Sequence, residues 1–218
     1  MPLPKDSMFF GFAERMTDEQ RRYVDSIIDR QLTIANAKSG TGKTTLAVAA
    51  AKLIGKPLVY VFSPVEEGRM GFRPGTQREK EYAYITPLID ALHEIGEDPA
   101  KAVFNPEDMA AMKRGEHWVY PMSHVFARGT NIKGKTVILD ETQNMTRGEL
   151  KKLLTRIHDD CHVVIIGHDG QIDLPNAGKS GFVPYLEHFR YEPYANVCEL
   201  TVNFRGKLAQ HADALTWK

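Results

Sequence analysis

Eight consecutive residues, Ala37-Lys38-Ser39-Gly40-Thr41-Gly42-Lys43-Thr44, combine a flexible backbone, an ammonium group and adjacent hydroxyls in the spacing of a phosphate-binding loop. Glycines let such a loop curl until successive N–H groups point inward at phosphate oxygens. A helix opening at Lys43 would add the partial positive charge of its N-terminus. In the Walker A pattern G-x-x-x-x-G-K-[ST], the lysine pairs with the β- and γ-phosphates and the following hydroxyl faces Mg2+. Ser39, Gly40, Thr41, Gly42, Lys43, Thr44 and Thr45 are therefore the expected phosphate contacts, with Thr44 also a metal ligand. Ala37 stands where the pattern has its first glycine; alanine is tolerated there unless positive φ is required.

A second chemical signature is Thr136-Val137-Ile138-Leu139-Asp140-Glu141, an apolar run that closes on two carboxylates. Ligands of open α/β sheets collect at the carboxyl ends of the strands, so Asp140 is placed to hold magnesium through water. Glu141 is then placed to orient or deprotonate the attacking water. Two carboxylates would by themselves suit the start of a helix equally well. Paired with the phosphate loop, they point to ATP and Mg2+ as cofactors and to hydrolysis rather than sensing.

These residues need a sheet to position them. Short apolar runs rich in β-branched residues occur at 32–37, 58–63, 136–140, 163–167 and 197–202. Runs apolar on both faces suit a parallel sheet covered by helices. Helical stretches alternate with them. Thr17 with Gln20 and Thr146 with Glu149 read as capping boxes, opening helices over 18–30 and 147–158. The Ala-rich stretch 43–54 ends at Gly55-Lys56-Pro57, a stop signal. The pattern predicts an α/β fold with a doubly wound, mostly parallel sheet. Residues 64–134 exceed a simple crossover and contain helix-like stretches at 78–95 and 106–114, which predicts an insertion after the second strand.

Composition narrows the classes. A chain of 218 residues with 42% hydrophobic and 26% charged residues suits one soluble α/β domain over 1–218. No apolar run reaches the roughly 20 residues that span a bilayer, and the first fifteen residues lack the pattern of a signal peptide, so no membrane partner and a cytoplasmic location are expected. Cys161 and Cys198 form no CxxC, and the eight histidines are scattered, so reduced buried thiols are expected rather than a zinc site. Lys plus Arg equals Asp plus Glu at 28 each, which is neutral on nucleic-acid binding.

The spaced motifs together resemble the PhoH-like P-loop ATPases, which are related to the core of superfamily 1 helicases. The resemblance rests on Ser39-Gly-Thr-Gly-Lys-Thr44, Asp140-Glu-Thr-Gln-Asn-Met-Thr146, Pro64-Val-Glu-Glu-Gly68 with Gly71-Phe-Arg-Pro-Gly75, and Gln171-Ile-Asp-Leu-Pro175 with Ser180-Gly181. It implies a single RecA-like core. Gln20 is similar to a glutamine that reads adenine in related helicases; it fits the surface of a capped helix equally well. Gln171 resembles a γ-phosphate sensor, in a context where His168 stands at the usual Asp position and Asp169 follows it. Arg205 falls where the family has an arginine that can neutralise the transferred phosphoryl group; the alternative is a surface arginine ending a strand. Arg128 matches a family arginine only after an offset.

The resemblance also implies partners. Arg69, Arg73, Arg78 and Lys80, interleaved with Phe72, Tyr82 and Tyr84, suit a single-stranded nucleic acid, although a mixed-charge helix face over core aromatics explains them too. A single core must obtain its arginine from its own C-terminus or from a neighbour, which implies a homo-oligomer, a hexameric ring, with Arg205 or Arg128 at the interface. No nuclease module is visible, so RNA cleavage is not expected. A motor on RNA or DNA, a nucleotide-dependent switch acting on a protein and, less favoured, a small-molecule kinase are the competing functions.

Overall fold

The structure, a computed structural model, describes residues 14–63, 84–106, 115–127 and 129–213. Six strands form one sheet: β1 (Leu32–Ala37), β2 (Leu58–Phe62), β3 (Val119–Ser123), β4 (Thr136–Leu139), β5 (His162–Gly167) and β6 (Ala195–Leu200). Their spatial order is β3-β2-β4-β5-β1-β6, and every pair is parallel. The sheet expected to be mostly parallel is thus parallel throughout among the described residues.

Alternation along each strand divides the core into two layers. Ala35, Ala37, Tyr60, Ile138, Val164, Ile166 and Cys198 face α1 (Asp18–Asp29), α2 (Lys43–Ile54) and α3 (Thr86–Glu94). Ile34, Val59, Val61, Val137, Leu139 and Ile165 face the other way, toward α6 (Arg147–Leu154) and α7 (Phe182–Phe189). Both capping boxes form, at Thr17–Gln20 and Thr146–Glu149. Helix α2 buries a continuous run from Leu46 to Ala51, whose small side chains let it lie close on the sheet. It stops at Gly55, which adopts φ 75° and donates its N–H to the Ala51 and Lys52 carbonyls.

The chain after β2 is more than an excursion from the sheet. It carries α3 and a short helix, α4 (Pro99–Ala102), returns as β3, a strand absent from the apolar runs, and then forms a second short helix, α5 (His124–Ala127). Pro121 obscures it; β3 lies at the sheet edge, where a missing N–H is tolerated. The stretch 78–95 contains α3 over Thr86–Glu94, and the expected helix at 106–114 lies, but for Pro106, outside the described residues. Helix α6 ends at Leu154, short of 158. Strand β6 runs two residues earlier than the apolar run, because its pairing begins at Ala195 opposite Leu32. Both cysteines are free and buried. Among the described residues, no helix is long and apolar enough to cross a membrane.

Candidate nucleotide site

Strand β1, the loop 38–42 and helix α2 form a strand–turn–helix whose bend is made by Gly40 (φ 75°) and Gly42 (φ 78°), both left-handed. Gly42 caps α2 without a side-chain hydrogen bond, so the first N–H groups of the helix are left for a ligand. Ala37 is the last residue of β1, fully buried and paired with Leu200, and it lies outside the positive-φ set. The substitution of alanine for glycine therefore needs no strained backbone. The Lys43 ammonium reaches back over the loop toward the Ala37 carbonyl at 3.5 Å.

Three segments hold the loop. Thr41, buried beneath it, donates its hydroxyl to the Lys38 carbonyl at 3.0 Å. From α1, the Gln20 amide donates to the Thr41 carbonyl at 2.9 Å, while its oxygen accepts the Thr17 N–H at 3.0 Å. From beyond β6, the Phe204 N–H donates to the Gly40 carbonyl at 2.8 Å. A Cβ on Gly40 would collide with the Asn203 side-chain oxygen and lie 2.7 Å from Cγ of Arg205, so only glycine fits.

Asp140 follows β4, two strands from β1 with β5 between them. It is 2% exposed and receives three donors: the Thr44 hydroxyl at 3.1 Å, the Tyr60 hydroxyl at 2.5 Å and the Glu141 N–H at 2.9 Å. Burial, reinforced by the Asp140 charge, pushes the Tyr60 phenol up, so Tyr60 stays a donor. Sequence reasoning missed it because a tyrosine in an apolar strand reads as core.

Glu141 has φ 52° and ψ 39°, the one left-handed non-glycine residue of the described chain. Gln143 donates its amide to the Glu141 carboxylate at 2.5 Å and accepts the His168 N–H at 3.3 Å. Glu141 is exposed at the cavity, yet partial loss of solvent around its carboxyl pushes it up, Asp140 adds to that, and Lys43 and Gln143 pull it back. A carboxylate with a raised pKa at the edge of a cavity has the character that general-base work requires.

The loop after β5 is tied to the same corner. Asn144 and Asp173 exchange two hydrogen bonds, at 2.8 and 3.1 Å, and Asp169 exchanges two with Asn36, each at 3.2 Å. Asp169 thereby anchors β5 to β1 at their carboxyl ends. Gln171 lies in this loop, its N–H donated to the His168 carbonyl at 3.3 Å, but it does not line the nucleotide cavity.

That cavity has a volume of about 600 Å³, in the range of small-molecule sites. Gln20, Ser39, Gly40, Gly42, Lys43, Thr44, Thr45, Glu141 and Arg205 all reach it. Arg205 thus stands in its own chain's cavity. Arg15, Glu94 and Phe204, unforeseen from the sequence, line it too. Glu94 accepts the Thr45 hydroxyl at 2.6 Å, and Phe204 is 57% exposed. The residues present fit a magnesium nucleotide: a loop bent by two left-handed glycines, an uncapped helix N-terminus, and a hydroxyl–carboxylate pair for the ion. Tyr84 stacks on Phe62, with centroids 6.0 Å apart. Arg69, Phe72, Arg73, Arg78, Lys80, Tyr82 and Arg128 lie outside the described residues.

The chain matches a family model described as PhoH-like protein over residues 13–214. It is 35% identical over 193 residues to a PhoH-like protein of Mycobacterium bovis, covering 85% of this chain and 52% of that protein. It is 36% identical over 169 residues to one of Bacillus subtilis, covering 74% and 50% respectively. The chain spans about half the length of these curated relatives. The large terminase from the thermophilic bacteriophage D6E shares the fold, with a TM-score of 0.54 at 13% identity, over 90% of this chain and 49% of that one. The glycine-built loop, the strand order around it and the family match over nearly the whole chain agree: this chain belongs to the PhoH-like proteins, on a P-loop nucleotide-hydrolase fold.

Proposed function

We propose that the cavity binds ATP with Mg2+, that the chain hydrolyses the nucleotide, and that turnover drives movement along, or remodelling of, single-stranded RNA or DNA. The observation that carries the reading is the 3.1 Å contact between the Thr44 hydroxyl and the Asp140 carboxylate, made across an intervening strand. A hydroxyl and a carboxylate so placed are the protein's share of a magnesium site.

Each residue then has a task. Ser39 to Thr45 hold the phosphates through backbone N–H groups and the Lys43 ammonium. Thr44 and Asp140 hold magnesium, which when bound neutralises charge on the phosphate oxygens. Glu141 takes a proton from water while Gln143 fixes its carboxylate. Arg205, whose stem packs on Gly40, neutralises charge on the phosphoryl group, in cis. Gln20 contacts adenine with its amide's remaining donor and acceptor, and so joins base recognition to loop position. Gln171 links hydrolysis to movement through the loop after β5, which Gln143 and Asn144 tie to the Glu141 turn.

The test is ATPase activity at low salt, with and without single-stranded RNA and DNA, because phosphate contacts weaken steeply with ionic strength. Several-fold stimulation is expected; none with either strand rejects the motor in favour of a switch acting on a protein. Lys43→Ala is expected to abolish turnover, and wild-type hydrolysis in that variant overturns the assignment. Ring assembly belongs to the same reading: light scattering that finds a monomer with and without a non-hydrolysable ATP analogue rejects it.

A further inference from the structure

We infer that the groove between α6 and α7 is a docking site for the phosphate backbone of a single nucleic-acid strand, an inference that rests on the nucleic-acid coupling proposed above. The groove, of about 480 Å³, is lined by Arg147, Gly148 and Lys151 of α6 and by Pro184, Tyr185 and His188 of α7. It is separate from the nucleotide cavity and shares no residue with it.

The α6 wall is cationic. Arg147 and Lys151 are four residues apart, so they share one helix face, and both are exposed. Neither forms an ion pair among the described residues. The nearby carboxylates are occupied elsewhere. Glu187 accepts two hydrogen bonds from Arg190, at 2.7 and 3.1 Å. Glu149 turns back to Thr146, whose N–H and hydroxyl each donate to it at 2.9 Å, and its other oxygen lies 3.4 Å from His124. In a chain of zero net charge, two exposed cations in one groove with no ion-pair partner among the described residues are a local site for a polyanion.

The opposite wall carries rings. Tyr185 and His188 stand at right angles, 6.4 Å apart, and Phe189 backs Tyr185 in a stacked pair at 6.0 Å. Cations that take phosphates beside rings that take bases are the combination that binds a single strand without reading its sequence.

The groove floor also leads to the reactive corner. Gly181 starts α7 and donates its N–H to the Met145 carbonyl at 2.8 Å. A Cβ there would stand 2.8 Å from Leu150 and 2.9 Å from Cα of Arg147, so glycine lets α7 press against the first turn of α6. Ser180 bridges Thr146, and the Phe182 ring lies against Gly167 at the end of β5. A strand seated between the helices therefore bears on both supports of Glu141: the turn 142–145 and the loop after β5.

The test is fluorescence anisotropy with labelled oligo-dT and oligo-U over a salt series, on wild type and on Arg147→Glu/Lys151→Glu. Affinity is expected to fall at least tenfold at low salt, and the slope of log K against log salt to become shallower by about 1.4 for two lost phosphate contacts. Basal ATPase without nucleic acid should be unchanged while its stimulation is lost. Tyr185→Ala should weaken binding by about tenfold with the slope retained. If circular dichroism finds the double variant misfolded, Arg147→Gln/Lys151→Gln makes the same comparison. Wild-type affinity and slope in the charge variants overturn the groove and leave the ATPase coupling standing. Failure of wild type to bind either oligomer at low salt overturns both.

Discussion

The loop 38–42 and the turn 140–144 face one cavity but are held by opposite means. The loop takes its left-handed positions with Gly40 and Gly42, at no steric cost, and is clamped by α1 and by the segment after β6. The turn places a glutamate in the left-handed region, at a cost of about 1–2 kcal/mol. It is kept there by side-chain bonds to β5 and the loop after it: Thr142 to the Ile166 carbonyl at 2.7 Å, Asn144 with Asp173, and Gln143 with His168. One half of the site is a fixed cradle; the other is a strained corner whose position depends on a neighbouring loop. Strain of this kind, over-determined by its surroundings, belongs with chemistry rather than with binding.

If the halves are separable in this way, damage to the corner removes turnover and damage to the cradle removes binding. The largest effect is expected at the corner. Glu141→Gln should lower ATP turnover by about 10²–10⁴-fold while equilibrium binding of a labelled ATP analogue persists; joint loss of both breaks the distinction. If Glu141 is the base it works only when ionised, so turnover should fall as pH drops, and that limb should vanish in the glutamine variant. The sign for stability is the reverse of a salt-bridged acid. A carboxyl with its folded pKa raised disfavours the folded state above its unfolded pKa, and acidification through the raised value relieves this. The glutamine variant should therefore melt no lower than wild type at neutral pH.

The next effect is at the cradle. Gly40→Ala forces a left-handed alanine against Asn203 and Arg205 and should cost about 1–3 kcal/mol in thermal denaturation, with ATP binding lost. Retained binding there would show that the clamp from the C-terminal segment yields. Tyr60→Phe probes the bond between the halves by removing one of three donors to Asp140. It should cost about 0.5–1.5 kcal/mol of stability and raise the Mg2+ concentration for half-maximal turnover several-fold, with a smaller change in kcat. An unaltered Mg2+ dependence would confine Tyr60 to packing. The smallest effect is at Ala37→Gly: stability should fall by about 0.5–1 kcal/mol, since β1 gains only backbone freedom, and ATP affinity should stay level. A gain in affinity would mean that the first loop position does demand glycine.

Legibility followed the range of the interactions. The cradle was readable because Ala37 to Thr45 are consecutive and their strand–turn–helix geometry depends on near neighbours. Both capping boxes were readable for the same reason. The role of Gln20 was half readable: its place in the capping box is local, whereas its bond to Thr41 spans 21 positions. Strand β3 was hidden by Pro121, which only an edge position tolerates, and edge position is a property of the sheet.

By itself the sequence determined which residues could bind phosphate, that β1, β2, β4 and β5 would be apolar on both faces, and where the two capped helices would start. These depend on backbone preference and on a period-two pattern that says in or out. The tertiary structure alone decided that β5 lies between β1 and β4, that Thr44 meets Asp140 across 96 positions, that Tyr60 supports Asp140 from the next strand, and that Phe204 and Arg205 close over Gly40. Alternation specifies a face and never a neighbour. Strand order is settled by the joint burial of both sheet faces, a free energy that no short stretch of sequence contains.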